Sequence, residues 1–377
     1  MIVQYFDYAA TTPVAEEVLD EMDRWLRVNT ANASALYTPG REARQAVEMA
    51  RQRVASLIDA PDESVIFTSG GTEADNTALL SGAMWGKAHG RDRLVVSAIE
   101  HHAVLSSAEY LKTMGCKVTV LSVDAHGYVD PENLRSAMGA DVAMVSVMWV
   151  NNELGTVQDV ERISSVAHEY GALYHTDAVQ ALTTQEVSLR KSGADMISIS
   201  SHKIYGPKGC GALIARESGM VTPLLRGGQQ ENGLRGGTEN VAAIAGFGKA
   251  AELEKKIHSA ARESMESCRS YMMQRMSGPS VRINSPRDGA PSILNVAFEN
   301  VEAEGMLFFL DREGICVSMG SACTSKSVEP SHVVRAICVP ENYARGCIRL
   351  SFGRGQTLED CACAADKILS LATELRA

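Results

Sequence analysis

No run of apolar residues in this sequence reaches the roughly 18 residues that would point to a membrane-spanning helix, and no membrane partner is expected. The opening stretch, Met1 to Val14, lacks a charged region followed by an apolar one, so a signal peptide is not expected either. Basic residues are in deficit: 36 Lys and Arg stand against 46 Asp and Glu, for a formal net charge of −10. That balance argues against a protein whose main business is nucleic acid, where a basic footprint is needed. It leaves room for an acidic face that docks a partner protein. A dense cysteine framework is also missing. The nine cysteines are odd in number and scattered from Cys116 to Cys363, which suits a reducing, cytoplasmic setting. There is no internal repeat and no low-complexity tract.

What is present is the composition of a soluble globular protein, with 45% hydrophobic and 22% charged residues. At 377 residues the chain exceeds what one core usually organises, and two domains are expected. Thr12-Pro13 ahead of Val14, Val18, Met22 and Trp25 reads as an N-capped amphipathic helix. From about residue 60 to 216 apolar runs alternate with helical patterns, as in an α/β domain. The expected strands include 65–68, 94–97, 117–123, 142–150, 173–176, 196–200 and 212–215. A long helical stretch from Glu239 to about Met276 leads into a strand pair, then helix, strand and a terminal helix over 358–375. A large domain is therefore expected over 13–255, and a smaller α+β domain over 1–12 and 256–377. The glycine-rich segments 227–237 and 319–327 read as loops of the kind that carry function.

The most informative segment is Ser198 to Gly209, in which Lys203 follows an apolar strand and precedes the turn-forming Gly206-Pro207. Open α/β sheets place ligand chemistry at the carboxyl ends of their strands. A lysine there, its pKa lowered by partial burial, can form a Schiff base with a carbonyl compound. A lone lysine would more often be a solvated surface residue, but three further requirements of pyridoxal phosphate occur at other strand ends. Asp177 supplies a carboxylate to keep a pyridine nitrogen protonated, although an aspartate there can equally cap a helix. Ser69 to Glu73 places glycines and a hydroxyl between a strand and a helix, suited to a phosphate. His101 can stack on a ring and shuttle protons. No cysteine or carboxylate stands at ligand spacing around His101-His102, so no metal site is read there.

Taken in order, these segments resemble the class V aminotransferase family, and within it the NifS- and IscS-like cysteine desulfurases, over essentially the whole chain. The matching stretches are 7–13 (AspTyrAlaAlaThrThrPro), 67–76, 100–104, 150–155, 175–180, 201–209, 234–240, 320–325 (GlySerAlaCysThrSer), 329–331 and 348–354. The resemblance implies a pyridoxal-phosphate fold type I enzyme, α/β, with a mainly parallel seven-stranded sheet in the large domain. It implies Lys203 as the Schiff-base lysine and the base for the substrate Cα proton, Asp177 at the pyridine nitrogen and Gln180 at the phenolic oxygen. His101 would stack on the ring, and Gly71, Thr72, Ser200 and His202 would hold the phosphate. Thr238 would reach in from the neighbouring subunit of a homodimer, while Asn152 and Arg349 would bind the substrate carboxylate. Cys323, in a segment rich in small polar residues, would take the sulfur of L-cysteine as a persulfide, releasing alanine. The implied partner is a sulfur-acceptor protein of iron–sulfur cluster assembly or tRNA thiolation.

Departures from the family's motifs occur at Tyr37, Gln229, Asn232, Gly236 and Met319. None removes a group the chemistry requires, and they bear on substrate entry and docking. Two other readings stand beside this one. One is a selenocysteine lyase or small-substrate aminotransferase of the same fold, and the other a non-catalytic scaffold.

Overall fold

A computed structural model describes residues 4–320 and 329–376. Its strands, in chain order, are Gln4–Tyr5 (β1), Val65–Thr68 (β2), Arg93–Ser97 (β3), Lys117–Leu121 (β4), Val142–Ser146 (β5), Leu173–Asp177 (β6), Met196–Ser200 (β7), Gly211–Ala215 (β8), Val281–Ile283 (β9), Ile293–Phe298 (β10), Ile315–Cys316 (β11) and Cys347–Ser351 (β12). The α-helices are Glu16–Asp23 (α1), Thr38–Leu57 (α2), Gly71–Ala88 (α3), His102–Thr113 (α4), Pro131–Ala137 (α5), Val160–Glu169 (α6), Leu189–Ser192 (α7), Val241–Arg275 (α8), Ala303–Arg312 (α9), His332–Ala336 (α10), Glu341–Ala344 (α11) and Leu358–Glu374 (α12).

Seven strands form one sheet in the order β2-β8-β7-β6-β5-β3-β4. Strands β3 to β7 pair in parallel, while β8 runs antiparallel to both β7 and β2. Two reversals restore the direction, so β2 points the same way as β7. This is the mainly parallel α/β sheet expected from the sequence. Every residue of β2, β5, β6, β7 and β8 is buried; β2, β5 and β8 accordingly read as mostly apolar runs, whereas β6 buries the polar His175, Thr176 and Asp177.

Two elements differ from the sequence reading, each for a local reason. The expected strand over 142–150 ends at Ser146. Beyond it, the Val147 and Trp149 N–H groups still bond β6 carbonyls, those of His175 (3.2 Å) and Asp177 (2.9 Å). An isolated bridge of Val150 to Val157 then closes the turn that carries Asn152. The first helix begins at Glu16 and takes no side-chain cap. Thr12 is engaged elsewhere: its hydroxyl donates to the His202 carbonyl (3.0 Å) and accepts from the Tyr205 N–H (2.9 Å). That ties the N-terminal segment to the turn after β7.

A second, antiparallel sheet has β10 at its centre between β9 and β12, and β1 pairs in parallel with β11. The 35-residue α8, about 52 Å long at 1.5 Å per residue, starts at Asn240, whose side chain accepts from the Ala243 N–H at 3.2 Å. Its first part, with Phe247 and Ala251, lies in the core around the large sheet; Met265, Cys268 and Met272 further along pack with β10, β12 and α12.

Candidate active site

Because β2, β3, β5, β6 and β7 share one direction, their carboxyl ends meet at a single edge of the sheet. Gly71 follows β2, His101 follows β3, Asn152 follows β5, Asp177 ends β6, and Ser200, His202 and Lys203 close β7 and its turn. These residues, with Thr72, Gln180 and Arg349, line one cavity of about 200 Å³. Ten of the twelve site residues named from the sequence are thus brought together. Thr238 is not among them in its own chain. It lines a separate pocket with Ser69, Gly209 and Arg235. Cys323 lies outside the described residues.

The Lys203 Nζ donates to the carbonyls of Ala9 and Ala10, at 2.5 and 2.9 Å. Gln180 donates to the same Ala9 carbonyl at 2.8 Å, and His202 Nδ1 lies 3.1 Å from the Thr11 hydroxyl. His101 has a second duty that the sequence did not show: its Nδ1 accepts from the Ala103 N–H at 3.1 Å, making it the cap of α4. Burial first, and then the Lys203 charge, push its pKa down to about 4. The ring is therefore neutral near pH 7. With Nδ1 accepting, its proton is assigned to Nε2.

Asp177 is buried, and one of its oxygens accepts from the Val179 N–H at 2.9 Å. The bond closes a turn and caps no helix, since the next helix begins only at Leu189, so the helix-capping reading does not hold. Beneath it lies a polar network missed at the level of sequence. His175 sits between two hydroxyls, Nδ1 2.8 Å from Ser146 Oγ and Nε2 3.0 Å from Ser198 Oγ, so it links β5, β6 and β7. Asp75 of α3 lies 3.6 Å from the same Nε2. Burial holds His175 neutral, its pKa pushed down to about 3, and raises the neighbouring carboxyls of Asp75 and Asp177 above the usual range. Glu100, fully buried beside them, is raised to about 8 by its desolvation. The available signal was helical phase: Asp75 is four residues past Gly71, so the two share a face of α3.

The residues present fit pyridoxal phosphate and an amino acid. Gly70, with φ 156° and ψ 179°, adopts a conformation open to glycine and leaves the N-terminus of α3 with no side-chain cap, which suits a phosphate. At Gly71 a methyl group would stand 2.7 Å from Val179 Cγ2, so backbone alone borders the cavity there. Asp177 offers a buried carboxylate to a ring nitrogen. Arg349 is 1% exposed and its Nε–H has no hydrogen-bond partner among the described residues, a buried donor suited to a carboxylate.

Comparison with known proteins agrees with this geometry. A profile described as Aminotransferase class-V matches residues 4–362. The protein named cysteine desulfurase IscS from Dictyoglomus turgidum is 42% identical over 375 residues, spanning 99% of this chain and 95% of that one. A solved NifS-like protein superposes with a TM-score of 0.93 at 34% identity, covering 99% of this chain and all of the other. The structure of SspA in complex with cysteine gives a TM-score of 0.80, also at 34% identity, covering 94% and 99% of the two chains. The strand-end arrangement of lysine, aspartate and histidine, the uncapped α3 and a full-length match agree, and the chain belongs to the class V aminotransferase family.

Proposed function

We propose that this cavity holds pyridoxal phosphate on Lys203 and L-cysteine on Asn152 and Arg349, with Cys323 receiving the substrate sulfur. The activity is that of a cysteine desulfurase, which turns L-cysteine into L-alanine and passes the sulfur on. The observation that carries the site assignment is the convergence of Lys203, Asp177, His101 and Arg349, from four separate parts of the chain, on one cavity. A relative of the same fold, SspA, is known with cysteine bound, which supports a site of this size for a small amino acid.

Enzymes of this family use pyridoxal phosphate, which supplies an electron sink that acidifies the substrate Cα–H. The chain's own groups do the rest. Gly71, Thr72, Ser200 and His202 bind the phosphate; Asp177 holds a proton at the ring nitrogen; Gln180 bonds the phenolic oxygen. The Lys203 amine takes the Cα proton. His101, neutral with its proton on Nε2, would stack on the ring and donate a hydrogen bond from Nε2 to the substrate during C–S cleavage. The Cys323 thiolate forms an S–S bond to the substrate sulfur as the C–S bond breaks, its electron pair going to the substrate carbon, which is then protonated to give alanine. Thr238 completes the phosphate site from the partner subunit of a homodimer. The sulfur goes to an acceptor protein of iron–sulfur cluster assembly or tRNA thiolation. The eight described cysteines are all free, which supports a cytoplasmic location. No helix among the described residues is long and apolar enough to cross a membrane.

Two measurements test this. Borohydride reduction of the yellow protein followed by peptide mapping should place the cofactor on Lys203. Incubation with L-cysteine and a reductant should release alanine and sulfide in equal amounts. Cofactor fixed to another lysine, or alanine without sulfide, would refute the assignment.

A further inference from the structure

The turn from Asp7 to Thr12 has no part in the chemistry above, yet it touches four of the site's side chains. Ala9 and Ala10 offer their carbonyls to Lys203, Ala9 also to Gln180, and the Thr11 hydroxyl meets His202. The fourth contact is the most directed: Arg349 Nη2 donates to Asp7 Oδ1 at 2.7 Å. Its Nη1 donates to the Asn152 carbonyl at 2.9 Å, and its Nε–H meets no acceptor among the described residues. Asp7 is itself held in place. It bridges to Ser351, its carbonyl accepts from the Ala10 N–H at 2.9 Å, and Ser351 Oγ accepts from the Ala9 N–H at 2.9 Å. A guanidinium buried this deeply needs acceptors for its N–H groups, or it moves toward water.

We propose that Asp7 is a positioning residue for the substrate carboxylate: its ion pair fixes the Arg349 fork so that the remaining donors face the cavity, and thereby sets the preference for a free amino acid. This rests on Arg349 being the carboxylate binder. Removing Asp7 has two opposed effects, a more positive site and a wandering fork. At 1% exposure the loss of orientation dominates, because Arg349 has no solvent in which to stay.

The test compares kcat/KM for L-cysteine and for L-cysteine methyl ester, which lacks the charge, in the cofactor-loaded protein. The wild type prefers the acid. Asp7→Ala lowers that preference about tenfold or more, chiefly through KM for the acid, with cofactor absorbance retained. Asp7→Leu, which fills the space without an acceptor, behaves alike, whereas Asp7→Asn keeps an acceptor oxygen and holds the preference within about threefold. A preference unchanged or increased in Asp7→Ala and Asp7→Leu overturns the proposal, and so does an equal loss with both substrates, the mark of a merely structural role. Arg349→Ala separates the two levels. If it keeps the preference, the reading of Arg349 fails and takes the proposal with it. If it loses the preference while the Asp7 variants do not, the proposal fails alone.

Discussion

Each side chain at this site does its work because its surroundings remove an alternative. His101 is the clearest case. An ordinary histidine titrates near pH 6.5, so its charge would change across the working range. Burial lowers this one to about 4, and its Nδ1 is occupied by the Ala103 N–H. The neutral ring is thus present at all pH values well above 4. The pH profile of kcat/KM measured from about pH 5 to 9 should therefore show no acid limb belonging to His101. His101→Gln should lower the rate by about 10² to 10⁴ while leaving the cofactor bound. An acid limb near 6.5 that vanishes in His101→Gln would contradict this assignment. Lys203 and Asp177 were legible in the sequence because each stands at or just past the end of an expected strand. Asp75, Glu100 and His175 were not. Their burial depends on how α3 and the strand ends pack: helical phase puts Asp75 on the face of Gly71, but phase alone does not separate a buried carboxyl from a solvated one.

At the scale of elements, sequence reading succeeded where pattern and environment coincide. Strands β2 and β7 have the expected bounds, because both faces are covered and the apolar run ends where the sheet does. It failed where a tertiary partner competes. Thr12 does not cap α1 because the His202 carbonyl and the Tyr205 N–H take its hydroxyl. β5 stops early because the chain after Ser146 bends toward the site. The start of α3 yields a direct prediction. Gly71→Ala pushes a methyl to 2.7 Å from Val179 Cγ2, on a β-branched side chain with little freedom to yield. Cofactor dissociation, followed by absorbance, should then weaken about tenfold or more; an unchanged affinity would remove Gly71 from the phosphate site.

The His175 link between β5, β6 and β7 yields another. Its folded pKa of about 3 lies below the unfolded value near 6.5. The unfolded chain therefore binds the proton more readily, and the contribution is fully present above pH 6.5 and lost as pH falls toward 3. The loss approaches roughly 5 kcal/mol. Raised carboxyls such as Glu100 act in the opposite sense, so the comparison is one of slopes. Denaturant unfolding of cofactor-free protein should show a shallower fall of stability below pH 6.5 in His175→Asn than in wild type. Equal slopes would mean that His175 is charged or exposed.

At the scale of the whole molecule, one helix serves both cores. The two-domain division proposed at residue 255 falls inside α8, whose early turns pack on the large sheet's core and whose later turns pack on β10 and α12. A helix pattern with no proline or glycine break in its second half gave its length correctly but could not say that it serves two partners. The sequence also pointed past the single chain. Thr238 lines a pocket apart from the cavity of its own subunit, and its assignment to the partner's site is a proposal. Co-expression of Lys203→Ala with Thr238→Arg tests that arrangement, since each is expected to be inactive alone. The mixed dimer should regain activity from the one site that combines an intact lysine with an intact threonine. No recovery in a verified mixed dimer would place Thr238 in its own subunit's site or in none.

The central claim is that Cys323 carries the sulfur, and a single turnover tests it most directly. Cofactor-loaded protein is mixed with one equivalent of L-cysteine without reductant, then alkylated and mapped by mass spectrometry. The account predicts one extra sulfur on Cys323, one alanine released, and neither product from Cys323→Ala. Alanine formed at the wild-type rate by Cys323→Ala, or the sulfur found on another cysteine, would contradict it.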